Sequence, residues 1–159
     1  MSEENKAIVR RLVDELWTKG SLSLADELFA DNYSHHDPST PDFGLGPEAE
    51  KKRVALYRVA FPDLQFTIED MVAEGDTVTY RWSSTGTHLG PLNVIPPSEK
   101  KVSVSGMTFY RFAAGKIVEG WVNWDSLTLL QELAVVPVII KKLNDQRPQA
   151  EWHTAKTGS

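Results

Sequence analysis

The stretch VSVSGMTFYRFAAGKIVEGWVNWDSLTLLQEL, residues 102–133, decides the fold class. Alternating apolar and polar residues predict a long strand over Val102–Phe112 and a last strand over Ile117–Asp125. Between them, Ala113–Lys116 has the composition of a hairpin turn. Ser126 can cap a leucine-rich helix that follows at once. The stretch therefore predicts an antiparallel hairpin that leads directly into a helix.

The segments before this hairpin separate into helices first and strands second. Apolar residues recur at helical spacing between Ser2 and Lys19, and shorter helices are predicted after Ser23 and from Pro47 to Pro62. The Pro-, Asp- and Ser-rich segment Tyr33–Gly46 is typical of a loop.

Two more strands follow the third helix, around Phe66 and around Tyr80 and Trp82, with a turn at Glu74–Asp76. Helices that precede a run of antiparallel strands indicate an α+β protein. We expect a strongly curved antiparallel sheet that wraps around the N-terminal helices and leaves a cavity between them.

Composition excludes several classes of function. The 159 residues carry a net charge of -5 without a cluster of Lys and Arg, so we expect no nucleic-acid partner and no attachment to a membrane. The chain has no cysteine, which excludes a thiol nucleophile and fits a cytoplasmic location. We expect one domain over residues 1–143 and a polar, mobile tail over 144–159.

The segment YSHHDPSTPD, Tyr33–Asp42, holds two of the four histidines. No metal site is predicted, because adjacent histidines lack the spacing of metal ligands. Two interpretations remain open: a polar loop, or a loop in which one histidine, preferably His36, faces the cavity and polarises a carbonyl. Asp37 precedes a proline and is expected to fix the turn.

The last strand has two faces, and its sequence leaves open which one points inward. Glu119, Trp121, Asn123 and Asp125 share one face, because alternate residues of a strand lie on the same side. The opposite face, which begins at Val118, is more apolar, so composition alone favours it as the inner one. Asp125 has two interpretations of its own: an ionisable group in the cavity, or the cap of the helix that starts at Ser126.

Three segments carry a resemblance to a known family: LWTKGSLSLADELFADNYSHHDP, AFPDLQFTIEDMVAEGDTVTYRWSSTGTHLG and FYRFAAGKIVEGWVNWDSLTLLQEL. They lie between Leu16 and Leu133. In these segments and in the order of its elements, the chain resembles the SnoaL-like polyketide cyclases, also called ester cyclases. These proteins have the cone-shaped nuclear-transport-factor-2-like fold, a cystatin-like α+β barrel. The segment GPLNVIPPSEKK (residues 90–101) and the chain beyond Ala134 depart from the family pattern.

The resemblance implies a homodimer that performs an intramolecular aldol closure of an aromatic polyketide ester without a cofactor. It also implies a buried aspartate as general acid/base, at the position of Asp125. His36 is the predicted catalytic partner of Asp125. Together they are predicted to act on a small apolar or aromatic molecule. The predicted ligand-binding residues are Trp121, Asn123, Tyr33, His88, Trp17, Phe66 and Trp82. Alternatives are a hydroxylase-like or hydrolase-like enzyme, a carrier without catalysis, and a dimerisation module.

Overall fold

The structure, a computed structural model, describes residues 2–137. Helices occupy the start of the chain and its last described part. They are α1 (Ser2–Arg11), which continues as a π-helical segment over Leu12–Thr18, α2 (Leu24–Leu28), α3 (Gly46–Ala60) and α4 (Ser126–Glu132). Pro47 stands in the first turn of α3, where its missing N–H costs no hydrogen bond. The predicted helices are therefore present.

Five strands form one sheet in the order β1-β5-β4-β3-β2. They are β1 (Phe29–His36), β2 (Gln65–Glu74), β3 (Thr77–Thr87), β4 (Lys101–Ala113) and β5 (Lys116–Trp124). Strands β2 to β5 pair antiparallel, while β1 pairs parallel to β5. This architecture confirms the predicted α+β class with a curved sheet.

The prediction of a loop from Tyr33 onward is wrong for its first residues. Strand β1 runs to His36, and His35 and His36 pair with Gly120 and Trp121 of β5. The register shifts between Phe29 and Ser34, which breaks the alternation of apolar and polar residues by which strands are recognised. Pairing with β5 therefore decides the conformation here, and local composition does not.

Strand β5 turns its more apolar face inward beyond a register shift. The shift lies where Arg111 and Phe112 pair with Glu119 and Ile117, so that Val118 is the extra residue. Beyond it, Gly120, Val122 and Trp124 face the interior, as the composition of the strand favours. Bulges of this kind bend a strand and help a sheet to curve.

The core lies between the helices and the concave face of the sheet. The N-terminal helices contribute Val9, Leu12 and Leu16, all at 0% exposure, and the sheet contributes side chains such as Val78 and Tyr110. Gly106 of β4 has no side chain where the ring of Trp82 and the Cβ of Trp124 approach it, so both residues fit against the sheet. A cavity remains inside this core. The predicted tail, residues 144–159, lies outside the described residues.

Candidate functional site

The cavity lies between α3, the N-terminal helices and the concave face of the sheet. It contains about 790 Å³ not filled by atoms, a value that includes its opening to solvent. About 80 Å³ is available to the centre of a water-sized sphere, and one water needs roughly 10–15 Å³ by this measure. Without side-chain movement the cavity therefore accommodates several waters or a ligand with about one ring.

Most of the cavity wall is apolar and aromatic. Trp17, Phe66 and Trp82, all predicted to bind a ligand, are part of this wall. Their rings pack on one another, with centroids 5.1 Å apart for Trp17 and Phe66 and 5.0 Å apart for Phe66 and Trp82. Their place in the wall agrees with the prediction, while their contact with a ligand stays a prediction.

A histidine and an aspartate from the end of β1 form the polar part of the wall. His35 and Asp37 both line the cavity, and their side chains are only 7% and 6% exposed. His35 Nε2 lies 3.8 Å from Asp37 Oδ2, which is longer than a hydrogen bond. Among the described residues this Nε2 has no hydrogen-bond partner, although it is buried. A ligand in the cavity can supply that partner.

The other nitrogen of His35 is held by a tyrosine. Tyr33 Oη and His35 Nδ1 are 2.8 Å apart, and Tyr33 itself has no exposed surface. The hydroxyl fits beside Gly120, because a side chain at that position would collide with it. Burial raises the pKa of Tyr33 well above its ordinary value, so the hydroxyl stays protonated. Tyr33 was predicted to touch the ligand; the structure places it behind His35 instead.

The hydrogen bond from Tyr33 determines the tautomer of His35. The Tyr33 hydroxyl has no other hydrogen-bond partner among the described residues, so we assign it as the donor to Nδ1. In the neutral imidazole the proton then resides on Nε2, next to the cavity. His35 thereby offers the cavity one N–H donor.

The carboxylate of Asp37 accepts hydrogen bonds from three residues. Ser39 N–H donates to Oδ1 over 2.9 Å, which is the turn predicted for Asp37, and the Thr40 hydroxyl donates to Oδ2 over 2.7 Å. Trp124 Nε1–H lies 3.2 Å from Oδ2 and 3.3 Å from Oδ1. Thr40 also bonds the hydroxyl of Tyr57 over 2.7 Å. The carboxylate is therefore fixed in position.

These contacts keep Asp37 ionised. Burial by itself raises the pKa of its carboxyl, but the imidazole of His35 and the hydrogen bonds from Thr40 and Ser39 lower it by more. The resulting pKa lies below the ordinary value, so a negative charge faces the cavity at neutral pH. The tyrosines nearby remain neutral, since burial raises the pKa of Tyr57 and of Tyr80 to about 12.

Helix α3 adds a buried ion pair to the same cavity. Glu50 and Arg53 both line it, with 1% and 3% exposure, and Arg53 Nη1 donates to Glu50 Oε2. Arg53 Nε, also buried, has no hydrogen-bond partner in the part of the chain that the structure describes. The polar wall thus combines one histidine, one carboxylate and one ion pair.

His36, Trp121 and Asn123 lie outside the cavity, so the prediction that they face it is wrong. Strand alternation turns His36 to the convex face, where its ring stacks on Trp121 with centroids 5.2 Å apart. His36 Nε2 bonds Glu119 Oε2 over 2.8 Å, and Asn123 is exposed. The sequence favours the wrong histidine because its composition predicts a loop here, in which side chains do not alternate between two faces.

Asp125 is exposed, so its predicted burial is wrong. It caps α4: its carboxylate accepts from Thr128 N–H over 3.0 Å and from the Thr128 hydroxyl over 2.6 Å. The second interpretation of Asp125, that it caps the last helix, is therefore confirmed. The role that the resemblance implies for Asp125, general acid/base, stays a prediction.

His88 has no exposed surface but does not belong to the cavity wall. Its Nδ1 accepts from Ser98 N–H over 3.1 Å and lies 2.9 Å from the Ser98 hydroxyl, and its ring packs on Phe61. Burial lowers the pKa of His88, so it stays neutral near pH 7. His88 thus connects the segment before β4 to the core. Because it is not part of the cavity wall, it cannot contact a ligand in the cavity as predicted.

A second, more open pocket adjoins the cavity. It lies between α4, the β1–α3 loop and residues 92–95, and it shares Tyr57, Trp124 and Leu129 with the cavity. These three side chains therefore separate the two spaces.

Two further features concern metals and membranes. Within residues 2–137, no group of three His, Asp or Glu side chains is arranged to hold a metal ion. None of the described helices has the length and apolar character needed to cross a bilayer. The predicted cytoplasmic location stays a prediction.

The prediction from the sequence prefers His36 to His35 as the histidine of the cavity, and it gives Asp37 only its role in the turn. The available signal was the spacing of Tyr33, His35 and Asp37, which are two residues apart and share one face if β1 continues as a strand. Glu50 and Arg53 were also missed. Their spacing of three on a predicted helix, beside Val54 and Tyr57, places them on its apolar side.

Comparison with known proteins identifies similar chains. The family model described as SnoaL-like polyketide cyclase matches residues 7–133. A candidate polyketide cyclase from Acidithiobacillus ferrooxidans is 33% identical, with a TM-score of 0.75 over 82% of this chain and 94% of that one. AclR, a candidate hydroxylase from Streptomyces galilaeus, is 28% identical, with a TM-score of 0.75 over 86% and 100%.

A candidate SnoaL-like polyketide cyclase from Jannaschia sp. CCS1 is 27% identical, with a TM-score of 0.77 over 86% of this chain and 95% of that one. No curated protein matches the chain. The matches confirm the resemblance that the sequence carries, and with it the nuclear-transport-factor-2-like fold.

Proposed function

The chain belongs to the SnoaL-like polyketide cyclase family, and from this membership we propose a cofactor-free cyclase or isomerase that forms an enolate from a ketoester. One observation carries the proposal: the Asp37 carboxylate and His35 Nε2 face the same aromatic cavity, 3.8 Å apart and both nearly buried. Such a pair supplies a base and a hydrogen-bond donor side by side. Enolate chemistry needs both.

In the proposed first step, Asp37 Oδ2 takes a proton from the carbon next to a ketone carbonyl. The electron pair of the C–H bond moves onto the carbonyl oxygen, which becomes an enolate. His35 Nε2–H donates a hydrogen bond to this oxygen and stabilises its charge. Because the pKa of Asp37 is low, it is a weak base, and the step depends on strong stabilisation of the enolate. Ketosteroid isomerase, in which an aspartate base works beside an oxyanion hole, shows that this combination is chemically sufficient.

In a cyclase the enolate carbon then attacks a second carbonyl carbon of the same molecule. A C–C bond forms, and the electron pair of the attacked C=O becomes an alkoxide. Protonated Asp37 returns its proton to this alkoxide, which restores the starting carboxylate. In an isomerase the proton returns to a different carbon. Neither route needs an oxidant or a metal.

The proposal differs from the resemblance in its choice of aspartate, and a matched pair of variants decides between them. In D₂O, we expect the wild-type protein to exchange the acetyl protons of methyl 4-acetylbenzoate for deuterium, which NMR follows directly. Asp37→Asn should slow this exchange by about 100-fold to 10,000-fold, the usual contribution of a general base. Asp125→Asn should retain it, because asparagine also caps a helix. The reverse pattern would return the acid/base role to Asp125.

A hydroxylase is the second candidate, since the similar chain AclR is named as one. Hydroxylation consumes an oxidant, so it predicts oxygen uptake and a product heavier by one oxygen atom. A carrier without catalysis predicts saturable binding in the cavity and no deuterium exchange. Mass spectrometry of the product and the exchange assay separate the three functions.

Family membership also supports the predicted homodimer. Analytical ultracentrifugation of the full chain should give twice the mass of one 17.8 kDa chain. A single species at the mass of one chain would contradict the dimer and leave the proposed chemistry untouched.

A further inference from the structure

The ion pair of Glu50 and Arg53 has no part in the proposed proton transfers, yet it lines the cavity. Both residues come from α3, one turn apart, and both are almost fully buried. Burial of two charges is costly, and apolar residues of similar size at the same places often stabilise a protein as well or better. The pair therefore requires an explanation other than stability.

The pair leaves most of the five N–H donors of Arg53 unused, and one of them is buried. Nη1 donates to Glu50, while Nε is buried and without a hydrogen-bond partner among residues 2–137. Nearly all buried N–H groups are paired, so an unpaired one on a residue of the cavity wall points to a ligand. His35 Nε2 has the same character in the same cavity. Two unpaired nitrogens on different elements match a ligand with two acceptor oxygens.

The charges around the cavity decide what kind of oxygen fits. Glu50 neutralises Arg53, while Asp37 adds a negative charge that no described Lys or Arg pairs with. Asp37, Glu50 and Arg53 together carry an excess of one negative charge. A carboxylate ligand would add a second in an enclosed, largely apolar space. A carbonyl or ester oxygen accepts the same hydrogen bond without that repulsion.

We infer that Arg53 Nε–H binds a neutral carbonyl or ester oxygen of the ligand and thereby selects neutral esters and ketones over the corresponding acids. This inference deepens the proposed function, on which it rests, by assigning a second oxygen of the ketoester to Arg53. Arg53 is a specificity residue: it touches the ligand but takes no proton in the reaction.

Binding of three single-ring probes tests the inference: methyl benzoate, benzoate and toluene. All three contain one benzene ring. Methyl benzoate carries a neutral ester group, benzoate carries a charged carboxylate, and toluene has no oxygen. Calorimetry or NMR titration with the wild-type protein should give the tightest binding for methyl benzoate. Benzoate should bind at least about tenfold more weakly than the ester, because it adds charge to the cavity.

Two variants remove the donor in different ways. Arg53→Lys keeps the positive charge beside Glu50 but lacks Nε. The double variant Glu50→Gln, Arg53→Met removes both charges, so no unpaired ion stays buried. In both we expect methyl benzoate to lose about tenfold in affinity, the effect of one hydrogen bond to a charged donor. Toluene should change by less than about threefold, since it makes no such bond.

The surface of α3 supplies the matched control. Glu48→Gln, Lys52→Met removes the same two kinds of charge from exposed positions of the helix. It should leave the affinities for all three probes within about twofold of the wild type. Equal losses for toluene and methyl benzoate in the Arg53 variants would overturn the inference, because they would indicate a distorted cavity. Tighter binding of benzoate than of the ester would overturn it as well.

These experiments measure binding without turnover, so they are independent of the proton-transfer assay. Absence of deuterium exchange combined with ester binding that depends on Arg53 would reject the proposed reaction and keep the ligand class. If deuterium exchange depends on Asp37 but ester binding is the same with and without Arg53, the proposed reaction is kept and the role of Arg53 is rejected.

Discussion

The last two residues of β1, His35 and His36, each lie beside a carboxylate, on opposite faces of the sheet, and the two pairs differ in almost every physical respect. On the convex face, His36 and Glu119 are 2.8 Å apart and 46% and 32% exposed. On the concave face, His35 and Asp37 are 3.8 Å apart and 7% and 6% exposed. The outer pair is the closer one, but water screens its electrostatic interaction, and its two side chains already hydrogen-bond each other.

The inner pair has the surroundings that the proposed chemistry requires, and the comparison shows why the distance between two side chains is a poor guide to function. His36 stacks on Trp121 and has its hydrogen bond already. His35 Nε2 remains without a partner within the described chain, next to an ionised carboxylate and a space for a ligand. Burial strengthens the electrostatic effect of each group on a ligand, and fixed partners hold both groups in place. Adjacent residues of one strand thus acquire different roles from their surroundings alone.

The sharpest test of this contrast substitutes one histidine at a time. His35→Gln should slow deuterium exchange of methyl 4-acetylbenzoate by about 100-fold, because the donor to the enolate oxygen is lost. His36→Gln should change the rate by less than about threefold, since His36 does not reach the cavity. Rates and circular dichroism spectra of both variants, recorded side by side, provide the measurement. Comparable rates in the two variants would remove the functional distinction between the faces.

The second prediction, of intermediate size, concerns how the stability that Asp37 contributes depends on pH. The pKa of Asp37 is lowered in the folded protein, so its ionised form stabilises the fold above the unfolded value of 3.8. This contribution is complete near neutral pH and is lost as the pH falls through the folded pKa. Asp37→Asn should therefore cost about 1–2 kcal/mol at pH 7 and progressively less below about pH 4. Urea unfolding midpoints between pH 7 and pH 3 measure both; a pH-independent difference would contradict the assignment.

The smallest effect is expected for the outer pair. Glu119→Gln removes a carboxylate whose oxygens lie 2.8 Å from His36 Nε2 and 3.5 Å from Arg111 Nη1. Exposed ion pairs contribute about 0–1 kcal/mol, so the urea midpoint should barely move and less still at high salt. Asp37→Asn, measured under the same conditions, is the buried counterpart. An outer effect as large as the inner one would show that exposure does not distinguish the two pairs.

The sequence predicted the architecture because its signals are repetitive. Alternation along β3, β4 and β5 and the helical spacing of Val9, Leu12 and Leu16 extend over many residues, so single exceptions do not obscure them. Capping by Asp125 was visible as well, since only local chemistry is needed to recognise it.

The candidate site was harder to predict because it depends on pairing between distant segments. His35 enters the cavity only because β1 lies beside β5, more than eighty residues away, with an irregular register. The low pKa of Asp37 depends partly on its turn and partly on His35, whose position is fixed by that same pairing. Trp17, Phe66 and Trp82 do lie in the cavity wall, because their rings follow the periods of the elements that carry them, while their contact with a ligand stays a prediction.

The turn after β1 has an evolutionary consequence. The Asp37 carboxylate holds the loop in shape through Ser39 and Thr40, and the same two oxygens supply the negative charge of the cavity. A substitution at position 37 that removes the carboxylate therefore changes the charge of the cavity and loosens the loop in a single event. A cavity of different charge on this scaffold therefore requires another way to hold that loop in shape.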